Sequence, residues 1–116
     1  MTCPVCQFTY PFLERIHRGT SERVWSVSQD DAGATREFNE EFGITIPTLL
    51  DPAKKDYPVS NAYGISYVPS LFLIEKDGVI SWSAHGFNKR ELEALGRWLG
   101  VDPFLPGEYV QEWKAG

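Results

Sequence analysis

Only two of the 116 residues are cysteines, Cys3 and Cys6. The two residues between them, Pro4 and Val5, give a spacing that suits the first turn of a helix. Proline at the first helical position loses only an N–H that would have no partner there. Cys3 then sits at the positive end of that helix, where free N–H groups and the helix dipole favour a thiolate and draw its pKa from about 8.5 toward about 3.5–7.5. Cys6, one turn in, is within reach of Cys3 and better shielded. The chemistry this arrangement permits is thiol–disulfide exchange: Cys3 attacks a disulfide, a mixed disulfide forms, and Cys6 resolves it. Three blander readings stand beside this one. A structural disulfide at this spacing closes too short a loop to restrain the unfolded chain much. Half of a zinc site would need partners, and neither a second cysteine pair nor a ligand-like spacing of His17 and His85 supplies them. The third is a pair of inert buried thiols.

The elements that must hold this pair can be read from the rest of the chain. At this length, with 42% hydrophobic and 14% aromatic residues, there is apolar material for one core. A net charge of −5 and a pI near 4.9 leave no basic stripe to neutralise phosphates, which argues against nucleic-acid partners. The longest mostly apolar run, Tyr67 to Ile74, is far short of the roughly 20 residues of a membrane span. No transmembrane helix or signal peptide is expected, and the chain as written reads as cytoplasmic, although two cysteines are too few to fix a compartment.

A first helix is expected from about Pro4 to Arg18, with Val5, Phe8, Phe12, Leu13 and Ile16 inward and Gly19 as a left-handed stop. Arg23–Gln29 alternates as a strand. Asp30 and Asp31 are N-cap candidates for a helix over Ala32–Phe42 that ends at Gly43. Ile44–Leu50 reads as a second strand, at an edge because of Pro47, and Asp51-Pro52 as a turn. A short helix follows from Tyr57 or Pro58 to Tyr63. Leu71–Ile74 and Val79–Ala84 form a hairpin about Lys76-Asp77-Gly78, and Asn88 caps a helix over Lys89–Leu99 that stops at Gly100. The domain is thus expected over residues 1–100, with 101–116 as a C-terminal tail.

Several of these pieces occur in a familiar order and spacing: Cys3-Pro-Val-Cys6, Pro11, Phe42-Gly43 leading into Ile46-Pro47-Thr-Leu-Leu-Asp51, Ala62-Tyr63-Gly64-Ile65, and Val68-Pro69-Ser-Leu-Phe-Leu-Ile74 followed by Asp77-Gly78. In these the chain resembles the TlpA-like redoxins of the thioredoxin superfamily, nearly as far as Gly100. The resemblance implies an α/β, thioredoxin-like fold, a mixed β-sheet flanked by helices, and a thiol–disulfide oxidoreductase with Cys3 as nucleophile and Cys6 as resolver. It implies a cis Val68–Pro69 bond facing the dithiol, the backbone of Val68 receiving a substrate strand, and Gly86, beside His85, on the rim of the same site. By spacing, Asp30 takes the position of an acid that handles the dithiol's protons, although an Asp ahead of a helix also serves simply as a cap. No metal or organic cofactor is implied. The expected partners are protein thiols and disulfides and an upstream thiol redox partner. Two alternatives remain, a peroxiredoxin-type peroxidase and a non-catalytic thiol- or copper-binding module.

The chain also departs from the family. The core strand that normally precedes the cysteines, usually ending in an aromatic residue, is missing, and Thr2 stands in its place. If the true N-terminus lies upstream, the resemblance suggests an extracytoplasmic or periplasmic protein. For the chain as written, the expectation is that the sheet closes directly or that a strand is exchanged between chains, giving a homo-oligomer. A third way to fill the position is a strand from Glu108–Trp113.

Overall fold

The structure is a computed structural model that describes residues 3–65 and 68–115. Thr2 and Tyr67, which figure in the sequence reading, lie outside the described residues. Helix α1 (Pro4–Gly19) carries the dithiol at its start and buries Val5, Cys6, Thr9, Phe12, Glu14 and Ile16. It does not end in a left-handed glycine. Gly19 is its last helical residue, and the chain leaves through Thr20 in an extended conformation, its N–H donating to the Ile16 carbonyl. Glycine serves another purpose at 19: a Cβ there would come within 2.9 Å of both Val101 methyl groups.

Strand β1 (Ser26–Ser28) leads to α2 (Ala32–Phe42), which is capped by Asp31 and closed by a left-handed Gly43. Strand β2 (Thr48–Leu50) pairs parallel with β1. A 3₁₀ turn (Ala53–Lys55) precedes α3 (Pro58–Ala62). Strands β3 (Ser70–Ile74) and β4 (Ile80–His85) form the antiparallel hairpin, and the two-residue β5 (Phe87–Asn88) leads into α4 (Lys89–Leu99), with Asn88 as N-cap and Gly100 as left-handed stop. The last strand, β6 (Trp113–Lys114), pairs with β5.

In β1 the serines face inward and Val27 is exposed, as is Trp25 just before the strand. The reason is polar: the Ser26 hydroxyl bonds the Tyr10 hydroxyl on α1, and Ser28 Oγ lies 2.7 Å from Thr35 Oγ1 on α2. Satisfied pairs of this kind let hydroxyls occupy a core face that apolar side chains would otherwise take.

The main core joins α1, α4 and the hairpin through Val5, Phe12, Ile16, Phe87, Leu92, Leu95 and Val110, with Leu71, Leu73 and Trp82 packed against it. A second cluster, Phe38, Ile44 and Ile46, is covered by Tyr10, Leu13, Val24 and Phe42. Leu13 touches both clusters, so α1 lies across the two.

Among the described residues the sheet does not close directly: the strands form three separate pairs, β1–β2, β3–β4 and β5–β6. The ladder bonds Ser26 N–H to Pro47 O and Asp51 N–H to Ser28 O turn Ser26 and Ser28 toward β2, so Val27 aims its N–H and C=O the other way. The tail does not fill the position either, because its strand pairs with β5. Residues 101–114 instead run back over α4 and α1, burying Pro103 and Val110.

Candidate redox site

Cys3 and Cys6 are joined as a disulfide, with their Cα atoms 5.2 Å apart. Cys3 is the N-cap of α1, and its Sγ accepts the Cys6 N–H at 3.1 Å. This follows from the local sequence. Pro4 starts the helix without needing a partner for its nitrogen, and the next free amide within reach of the capping side chain is that of Cys6. The two sulfurs differ in access: Cys6 is 5% exposed, whereas Cys3 is half-buried. A nucleophile belongs where a partner's sulfur can reach it, and a resolving thiol is best kept from solvent.

Cys3 Sγ lies 4.0 Å from the Val68 carbonyl oxygen. The Val68–Pro69 peptide is cis. Val68 is exposed and Pro69 buried, which leaves the backbone ahead of the proline on the surface beside the dithiol. Gly86 is tied to the same loop, its N–H donating to the Pro69 carbonyl at 2.8 Å. It has a positive φ of 66°, which a glycine adopts without strain. The next residue, Phe87, is fully buried against Phe8 and Phe12 of α1, at 4.7 and 5.7 Å between ring centroids. Cys3, Cys6, Val68, Pro69 and Gly86 thus belong to one locality. His85 pairs across the hairpin with Ser70, its Nδ1 lying 3.4 Å from Ser70 Oγ.

Asp30 follows β1. Its N–H donates to Ser28 Oγ, while the cap of α2 is its neighbour Asp31, which accepts the Ala34 N–H. Among the described contacts none joins the Asp30 carboxylate to the dithiol.

Sequence reasoning missed two buried carboxylates that tie elements of the fold together. Glu14 reaches from α1 to the start of the β2 segment, accepting from the amides of Thr45 and Ile46, from the Thr45 hydroxyl and from Arg18. Burial pushes its pKa up, but the Thr45, Arg18 and amide bonds outweigh that and hold it below the ordinary glutamate value. Asp51 is fully buried and accepts the N–H groups of Val59 and Ser60 and the Ser60 hydroxyl. Desolvation acts upward on its pKa, and these bonds bring it below the ordinary value. Asp51 thereby does for α3 what Tyr57, the residue at the N-cap position, does not. A helix starting at Pro58 after a non-capping tyrosine was the signal that a remote acid had to serve it.

The Redoxin family model matches residues 1–97, and the chain belongs to that family. Its similar relatives include the thiol-disulfide oxidoreductase ResA of Geobacillus thermodenitrificans, 27% identical over 82 residues that cover 67% of this chain and 45% of that protein. The ResA of Bacillus anthracis is 26% identical over 82 residues (67% and 46%), and that of Geobacillus kaustophilus 25% over 93 residues (77% and 52%). The chain therefore spans about half the length of these relatives. Among solved structures it is similar to StoA from Bacillus subtilis, with a TM-score of 0.66 at 24% identity, covering 84% of this chain and 74% of that one. The likeness to StoA is one of fold, an α/β, thioredoxin-like arrangement. No helix among the described residues is long and apolar enough to cross a membrane.

Proposed function

We propose that the protein is a thiol–disulfide oxidoreductase that exchanges the Cys3–Cys6 pair with protein substrates, as the names of its ResA relatives suggest. In the reducing direction the Cys3 thiolate attacks one sulfur of a substrate disulfide, the other substrate sulfur leaves as a thiolate, and Cys3 is held in a mixed disulfide. Cys6 gives up its proton and attacks Cys3 Sγ, releasing the second substrate thiolate and restoring the Cys3–Cys6 bond. Two electrons pass to the substrate, and an upstream thiol partner returns them. Val68 and Pro69, with Gly86 behind them, form the platform on which the substrate segment lies. Asp30 is the candidate acceptor for the Cys6 proton.

The observation that carries this reading is the asymmetry of the pair. The half-buried Cys3 sulfur already accepts an amide hydrogen bond that would stabilise a thiolate, and the buried Cys6 sits one turn behind it. Insulin reduction with dithiothreitol as electron source tests it: wild type should turn over, and Cys3→Ser should not. Rapid, saturable consumption of hydrogen peroxide without disulfide reduction would replace it with a peroxidase.

A further inference from the structure

The segment after α4 is clamped to the dithiol helix at several points. Arg15 of α1 grips Glu108 with both terminal guanidinium nitrogens, Nη1 and Nη2, at 2.7 and 2.9 Å, and Nη1 also donates to the Pro103 carbonyl at 3.0 Å. Such a two-bond fork fixes direction as well as distance. Two helical glycines give the segment room. Val101 fills the space at Gly19, and at Gly96 a Cβ would overlap the Val101 carbonyl oxygen and approach Pro103 Cδ to 2.8 Å. Glycine inside a helix is less favourable than alanine, so Gly96 in α4 gives up helix stability for this close approach. Phe104 then packs edge-on to Phe12 at 5.0 Å.

The far end of the segment reaches β5, which directly follows Gly86. β6 pairs with β5, where Phe87 opposes Lys114, and the Lys89 N–H donates to the Glu112 carbonyl at 2.9 Å. Phe87 directly follows Gly86, whose N–H holds the Pro69 carbonyl. An unbroken line of contacts thus runs from the Arg15–Glu108 fork along the segment to β5 and Gly86, and ends on the loop that lies beside Cys3.

We infer that residues 101–114 act as a positioning strap that sets the Val68–Pro69 platform against Cys3, with Arg15 and Glu108 as positioning residues at its anchor. This rests on the oxidoreductase reading above. The strap touches neither sulfur, so it governs how a protein substrate seats and leaves the intrinsic reactivity of Cys3 alone.

The test compares wild type with Glu108→Gln, which keeps volume but removes the charge, and with Arg15→Lys, which keeps the charge but removes the fork. Amide exchange by NMR reads the coupling without any need for activity. The Gly86 amide should exchange about tenfold faster in either variant, while the Ile44 amide, bonded to the Asn39 carbonyl in the other core cluster, keeps its rate. With insulin as substrate, KM should rise about fivefold to tenfold at unchanged kcat, and iodoacetamide should label reduced Cys3 at the wild-type rate. Unchanged Gly86 exchange in the variants would overturn the inference, and so would equal acceleration at Gly86 and Ile44, which reports a general loss of stability. If one variant fails to fold, the other decides by the same two amides. A wild type that reduces no disulfide overturns the oxidoreductase reading and with it the redox role of the strap, whereas the exchange ratio tests the mechanical link separately.

Discussion

Replacing Glu14 with alanine should destabilise the protein by about 3 kcal/mol, and the figure follows from where its partners sit. The Ile46 amide is buried and would keep no acceptor, at a cost of about 1–3 kcal/mol. Thr45 is exposed, so water can replace the carboxylate at its amide and hydroxyl, and each of those bonds is worth about 0.5–1.5 kcal/mol net. Arg18 contributes little: its side chain is 62% exposed, and an exposed i,i+4 pair is worth about 0.3–0.5 kcal/mol. Urea unfolding of the oxidised protein measures this directly. With a slope of about 1–1.5 kcal/mol per molar for a domain of this size, the midpoint should fall by about 2–3 M for Glu14→Ala and by less than about 0.5 M for Arg18→Ala. Because the Glu14 pKa is lowered on folding, its contribution is fully present above the ordinary carboxylate range and is lost as pH falls through the folded-state value. Glu14→Gln should therefore flatten the acid limb of the stability profile. A Glu14→Ala midpoint within about 0.5 M of wild type, or an Arg18→Ala loss as large as that of Glu14→Ala, would show that the Glu14 bonds do not carry this stability.

Asp51→Asn should lower the melting temperature and weaken the acid dependence of stability, since a carboxylate with a lowered pKa stabilises above the ordinary range and loses that effect on acidification; calorimetry from pH 3 to 7 checks both. The Arg15–Glu108 fork should survive ordinary acidification, because the paired guanidinium, helped by the Leu105 amide, holds the Glu108 carboxyl at about 2; carboxyl carbon shifts in an NMR titration report it. Gly96→Ala should destabilise despite its helix-propensity gain of about 1 kcal/mol, since the new methyl meets backbone at Val101; urea midpoints that rise instead would contradict the close approach. Tyr10 should ionise late in a spectrophotometric titration, because burial raises its pKa more than the Ser26 bond lowers it, and Ser26→Ala should delay it further.

The helices were legible wherever a cap and a stop bracketed them. Asp31 with Gly43, and Asn88 with Gly100, define α2 and α4 to the residue. The dithiol and Pro69 were legible because cysteine pairs and prolines carry their constraints in the residue itself. β1 was found but its faces were obscure, since alternation shows which residues share a side, and nothing local tells that Ser26 and Ser28 find hydroxyl partners on two helices. Gly19 looks like a stop from its neighbours alone, because the Val101 methyls that require it lie 82 positions away in sequence. The glycines and prolines after residue 100 read as a tail; that Pro103 is buried there and Val110 joins the main core is visible only through long-range packing. The fate of the sheet depended likewise on pairings, β6 with β5 rather than with β1 or β3, that short alternating segments do not specify.

In the proposed reaction Cys3 attacks and Cys6 resolves. The most direct measurement mixes reduced Cys6→Ser with a peptide disulfide, quenches with acid and maps the adduct by tandem mass spectrometry, with Cys3→Ser treated in parallel. A stable mixed disulfide through Cys3 is expected in the first variant and almost none through Cys6 in the second, because Cys6 is only 5% exposed. Efficient trapping through Cys6 in Cys3→Ser, with no adduct at Cys3 in Cys6→Ser, would contradict it.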